Sequence, residues 1–348
     1  LVATGDGDVK GTPSRIPLGT IAEASSVPLE WKVDAGTAGS ASLVFSLVRG
    51  KKKVATVSKT VVFMPEKEPD MSAGAWNPPI KPGRTDYIDS AMGRDSADGL
   101  SDSTAWRTFG NLAKIILGPG ERVLLKRGCV FNEELHVMVR GSAENWAEIG
   151  AYGEGMRPQI RRNRDINERC AFLLDPEYVV VRDLVFCNAG VGFSAVRRNE
   201  GRGHILVERC LSHHIEGLYR FDSHGIPEWM GAKGPTGAIR SYGIHIGRAK
   251  NAVLRDCEMY QCSAAFRLTG ADVGISRVFC HDNYAHNTSP HPFNTASRSW
   301  MTDCVFDASG WHASAGTMGI MLSSNNGLVI RGCHFLNQPD SGSPDQGG

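Results

Sequence analysis

The sequence predicts an all-β chain, most of it a parallel β-helix solenoid with an N-terminal capping helix, preceded by a small β-sandwich-like module. Three observations carry this prediction. The 348 residues include 40 Gly and 17 Pro, a turn-rich composition that disfavours a helical fold. Short apolar runs alternate with turn signals along the second half. One strand-like motif recurs at a period of roughly 25 residues, which is the mark of a repeat architecture.

Residues 1–64 contain Val27 to Val33, then Ser40 to Val48, a Lys/Gly turn at 49–53, and Val54 to Met64. β-Branched residues alternate there with polar ones, as in a half-buried sheet around a hairpin. Residues 65–84 hold five prolines with Glu, Lys and Asp and read as a linker. The β-helix is expected over 85–348. Near its start Phe109, Leu112, Ile115 and Ile116 fall at near-helical spacing before Gly118-Pro119-Gly120, so a helix over 107–117 is expected to cover core and strand edges at that end. The last coil, Val329 to Phe335, runs into a polar Pro/Ser/Gly segment. A continuing chain or a partner is expected to cover that end.

The repeat aligns Leu184, Cys210, Cys257, Val278, Cys304 and Cys333, spaced 26, 47, 21, 26 and 29 residues apart, the longest gap containing an insertion. Stacked coils put such positions into an internal ladder, where a thiol behaves as a small hydrophobe. Nine cysteines, none in a Cys-x-x-Cys pair, fit that role, although a disulfide or metal role stays open. The preceding Asp183, Arg209, Asp256, Arg277 and Asp303 are expected on the solvated outside.

From Tyr87 to Ile160 the chain resembles the opening of pectate-lyase-like proteins of the right-handed parallel β-helix superfamily. The resemblance rests on Tyr87-Ile88-Asp89, Gly93, Asp95, Asp98-Gly99-Leu100-Ser101, Trp106-Arg107-Thr108, Gly120-Glu121-Arg122-Val123, Ala151 to Gly155 and Pro158-Gln159-Ile160. It implies a helix plugging the N-terminal end and an activity among the lyases, hydrolases and epimerases of polysaccharide, mostly secreted. Fold analogy leaves the chemistry open.

Hydrolysis of a glycoside needs two carboxyl groups facing one groove. Glu216 and Asp222 lie in the His/acid-rich stretch 212–224, and Asp282 lies in Cys280 to Asn287. These three are the candidate catalytic residues. His245, Arg267 and Asn294 are expected to line up on one outward face as a sugar-binding file, with His224 and His281 nearby. Trp229, in a Gly/Pro-rich insertion at 225–237, either stacks on a sugar ring or pins the loop. A lyase would use a Lys or Arg base. Only Lys114, Lys126, Lys233 and Lys250 lie beyond the linker, which leaves an arginine base open. The arginines from 157 to 202 are dense enough to suggest an anionic glycan, uronate or sulfated.

No cofactor is called for, and calcium stays open at Asp95, Asp98 and Asp102. Net charge of +1 gives no field to hold nucleic acid or an anionic membrane. No apolar run is long enough to span a bilayer. His213 and His214, on a strand, are expected to face opposite ways, so no zinc site is predicted. Nucleotide-binding and serine-esterase motifs are absent. The sequence thus predicts a secreted, periplasmic or cell-surface glycoside hydrolase acting on polysaccharide, with a polysaccharide lyase or a non-catalytic glycan-binding adhesin as the alternatives.

Overall fold

The computed structural model describes residues 2–5, 10–12, 32–34, 39–63, 77–196, 203–216, 219–221, 227–229, 241–283, 286–288, 297–307 and 326–337. Contacts divide the chain into two compact units, one built mainly from Leu1–Glu68 and the other from the chain after Pro69. In the first, Val2–Gly5 pairs antiparallel with Gly39–Arg49, which pairs with Lys52–Phe63 around a turn at Gly50. A second ribbon joins Lys10–Thr12 to Lys32–Asp34.

The second unit is a parallel β-helix. Each coil contributes to three faces. Face A stacks Thr85–Ile88, Arg122–Lys126, Ala147–Tyr152, Val179–Arg182, Gly203–Glu208, 250–255, 271–276, Ser297–Thr302 and Asn326–Arg331. Face B is an eight-stranded sheet from Val130–Phe131 to His334–Leu336. Face C stacks Leu135–His136, Arg169–Leu174, Val191–Val196, 244–247, 264–268 and His286–Thr288. Faces C and A share two long strands, Ile244–Arg255 and Ala264–Ser276, whose register shifts between Ile246 and Ala249 where they turn the corner.

Inward side chains meet in register. On face A, Val123, Ile149, Val181, Val207, Leu254, Ile275 and Met301 stack in order and are almost fully buried. On face B, Phe131, Ile160, Phe186, Ser212, Met259, Cys280 and Phe306 do the same. The period-two alternation of a strand makes both stacks.

The cysteine ladder is present at a different place from the one the motif suggests. Leu184, Cys210, Cys257, Val278 and Cys304 are buried in the corner between faces A and B, not inside one continuous strand. The residue before each, Asp183, Arg209, Asp256, Arg277 and Asp303, has φ between 49° and 60°. This left-handed step turns the chain and aims those charges outward, and Gly332 holds the same place in the next coil with φ 64°. All nine cysteines are free thiols, eight buried and Cys333 partly so.

The expected helix is shorter and tighter than predicted. It is a six-residue 3-10 helix, Phe109–Lys114, with the Thr108 side chain accepting a hydrogen bond from Gly110 N and the chain becoming extended at Ile115. Phe109 and Leu112 are buried in the main core, and Phe109 stacks on Phe131 at 5.0 Å. The end of the expected linker is also bound to the β-helix. Lys81 N donates to Asn145 Oδ1 at 2.8 Å, Trp146 N to Pro79 O, and Gly83 N to Gly120 O. Proline lacks an N–H but keeps its carbonyl, so a Pro-rich segment can still dock as an acceptor.

Candidate functional site

The long insertion leaves and rejoins the β-helix at one corner, between faces B and C. Glu216 N donates to Ala189 O, and Ser241 Oγ donates to Gly190 O at 2.6 Å, so both roots of the excursion are anchored on consecutive residues. Close stacking allows this. A Cβ on Gly192 would lie 2.3 Å from Gly243 O, and one on Gly243 would lie 2.5 Å from Ala265 O.

Glu216 is buried, and its Oε1 accepts from Arg164 Nη2 at 2.5 Å. Arg164 itself has φ 62°. Asp282 occupies the same corner two coils further on, also with positive φ (48°), and is partly exposed. The corner file runs Asn188, His214, Gln261, Asp282 and Asn337, all in the left-handed region.

Beside this corner, face B carries a column of rings. His213 stacks on Tyr260 at 5.1 Å, and Tyr260 on His281 at 5.2 Å. His281 is clamped by carboxylates, with Nδ1 2.7 Å from Asp282 Oδ2 and Nε2 3.0 Å from Glu258 Oε1. Burial works against a charged imidazole there, but the bonds to Asp282 and Glu258 prevail and raise His281 above the ordinary histidine value. Burial likewise opposes ionisation of Glu258, and the His281 bond overcomes it and lowers that carboxyl. His213 and His214 behave oppositely. Burial, and then the neighbouring His214 and Arg157, push His213 down to about 3, while burial and Arg164 push His214 to about 4.

The two histidines do not face opposite ways. His214 has φ 52°, which breaks strand alternation and brings the two Nδ1 atoms to 2.7 Å. One ring nitrogen must donate and the other accept.

On face C two of the three residues of the expected file, His245 and Arg267, stand in cross-coil register, following Phe172 and Ser194. Tyr242 joins it. Its ring centre is 5.1 Å from that of His245, and its hydroxyl accepts from Arg267 Nη1 at 3.2 Å. Asp222, His224 and Asn294 lie outside the described residues, as does the side chain of Trp229, whose backbone pairs with Tyr219. The acidic trio near the chain's opening is engaged in turns and an ion pair. Asp95 accepts from Arg107 N, Thr108 N and Thr108 Oγ1, Asp98 from Leu100 N, and Asp102 pairs with Lys126 at 2.9 Å.

Glu258, Tyr260 and Tyr242 were not singled out by the sequence, whereas Arg164 belongs to the dense arginine stretch that was. Glu258 and Tyr260 sit one position after and three after a ladder cysteine, so the repeat could have placed them on one outer face. Tyr242 carries no such mark.

No protein-family model matches the chain. A stretch of 76 residues is 38% identical to a lacto-N-biosidase of Bifidobacterium longum subsp. longum, covering 21% of this chain and 5% of that protein. The chain therefore matches only a small part of that relative's length. Among solved structures, a GH136 lacto-N-biosidase from Eubacterium ramulus matches 73% of this chain and 56% of its own, at 17% identity and TM-score 0.48. The pectate lyase Pel9A matches 77% and 80%, at 13% identity and TM-score 0.40. The stacked parallel strands define the class of the second unit as a parallel β-helix.

Proposed function

We propose that this chain is part of a carbohydrate-degrading enzyme and, within that class, a glycoside hydrolase acting at the corner between faces B and C. The observation that carries the proposal is the pair Glu216 and Asp282 at one corner, two coils apart, where the insertion is rooted. With coils about 4.8 Å apart, such residues stand roughly 10 Å apart along the axis, near the upper separation for an inverting pair. The stretch shared with a lacto-N-biosidase supports a hydrolase. Glu216, held by Arg164, is assigned the base role, which leaves the acid role to Asp282 or Asp222. His281 positions Asp282, while His245, Arg267 and Tyr242 bind sugar, with His224, Trp229 and Asn294 as further contacts. A lyase with Arg267 as base is the second reading. We also assign Phe109–Lys114 as the cover of the first coils, 1–64 as a small sandwich-like module, and the protein to an extracytoplasmic compartment.

The test is incubation with neutral, uronate and sulfated glycans, including a lacto-N-biosidase substrate, while reducing ends and unsaturated-uronate absorbance are followed together. Reducing ends without absorbance are expected. Absorbance would replace the hydrolase by the lyase, and neither signal on a glycan that binds would leave a binding module. Asp282→Asn should lower turnover at least a hundredfold, and undiminished turnover would remove Asp282 from the mechanism.

A further inference from the structure

Several of the arginines that stand on the strands are neutralised, while Arg161 donates to the neutral Asn132 amide oxygen. Arg122 and Arg182 reach Glu148, Arg169 reaches Glu134 at 2.9 Å, and Arg255 reaches Glu208 at 2.6 Å. In the arginine-dense stretch after 157, Arg162 is paired with Glu168 and Arg164 with Glu216. Arg267 differs. Among the described residues no carboxylate pairs with it. Its Nη1 donates to the neutral Tyr242 hydroxyl, its Nε is buried with no acceptor, and its guanidinium lies 5.8 Å from the Tyr242 ring centre. A guanidinium keeps its charge at any working pH, and a partly buried donor without an acceptor is costly unless a ligand supplies one.

The surroundings fit a saccharide. His245 precedes Arg267 in the file, so an imidazole and a guanidinium sit on adjacent strands of one strip. The spacing along that strip is one strand per residue, about 4.8 Å. A sugar spans roughly one such step.

We propose that Arg267, held by Tyr242, is a subsite for an anionic substituent of the saccharide, a carboxylate or a sulfate ester. This rests on face C being part of the glycan groove, and it moves the anion contact from the arginines after 157 to a single residue. The guanidinium offers two parallel N–H groups to a planar or tetrahedral oxyanion, and Tyr242 fixes their direction.

Calorimetric binding separates this from cleavage. Trigalacturonate is compared with its methyl ester, and a sulfated N-acetylglucosamine oligosaccharide with its desulfated form. The wild-type protein should bind at least one acidic member tenfold or more tighter than its neutral counterpart, and which pair shows the ratio identifies the anion. Arg267→Gln should abolish the ratio between the acidic and neutral members of that pair. Tyr242→Phe, which removes only a hydroxyl, should reduce the ratio two- to fivefold and serves if the first variant misfolds. Equal affinities within both pairs in the wild-type protein, or a ratio retained in Arg267→Gln, would overturn the subsite. Absent cleavage with the ratio intact would fault the hydrolase assignment instead.

Discussion

Single residues set the corners of this β-helix. Among the described residues seventeen non-glycine ones have positive φ, and those at the two edges of face B recur from coil to coil. Each such residue costs on the order of 1 kcal/mol in backbone strain, offset by the cross-coil hydrogen bonds that flank it. Asp183 N donates to Glu208 O, Arg209 N to Arg255 O, and Asp256 N to Ser276 O. Where backbones approach closely, Gly243→Ala should destabilise the protein by about 2 kcal/mol, because its Cβ would press on the Ala265 carbonyl. Urea unfolding checks this. Histidines give a pH dependence of both signs. His213 and His214 have depressed values in the folded state, so their contribution is full above about 6.5 and is lost as pH falls toward about 4 and 3. His281 is raised, so its contribution is full below about 6.5 and is lost as pH rises through its folded value. Thermal midpoints should therefore fall on both sides of neutrality, with His213→Phe flattening the acid limb and His281→Gln the other.

At the scale of elements, charge runs along the outside of face A. Glu148 joins Arg122 to Arg182, Arg182 reaches Glu208, and Glu208 also meets Arg209 and Arg255. Glu208 is buried, and although burial opposes its ionisation, the Arg255 bond and the nearby guanidinium groups lower its pKa. Glu208→Gln would leave these arginines facing a neutral amide, so a loss of about 2 to 3 kcal/mol in urea unfolding is expected. The sequence could not show this network, since partners 34 and 47 residues apart meet only through the register. It did show the period, because Cys210, Cys257 and Cys304 repeat a small buried residue at one corner. It missed that the corner is a turn, because left-handed Asp and Arg look like ordinary strand residues in a sequence. The alignment of His245 with Arg267 was legible from alternation alone. The His213–His214 contact was not, since one left-handed residue cancels the alternation.

For the whole molecule, the inward stacks run on toward Asn326–Arg331 and His334–Leu336, where core positions become accessible. Ile330 follows buried Met301 in register yet is 42% exposed, and Phe335 follows buried Phe306 at 46%. Ile330 is accessible and Met301 is not, so Ile330→Lys should cost less than about 1 kcal/mol, whereas Met301→Lys should abolish folding. Thermal unfolding of the two variants decides it. The proposed groove, acid pair and Arg267 subsite all depend on the coils being in register, with the corner cysteines inside. Thiol titration of the native protein with an aromatic disulfide reagent tests that most directly. Of the nine cysteines only Cys333 should react quickly, with all nine reacting after denaturation, whereas rapid native reaction of Cys210, Cys257 or Cys304 would contradict the stacked arrangement.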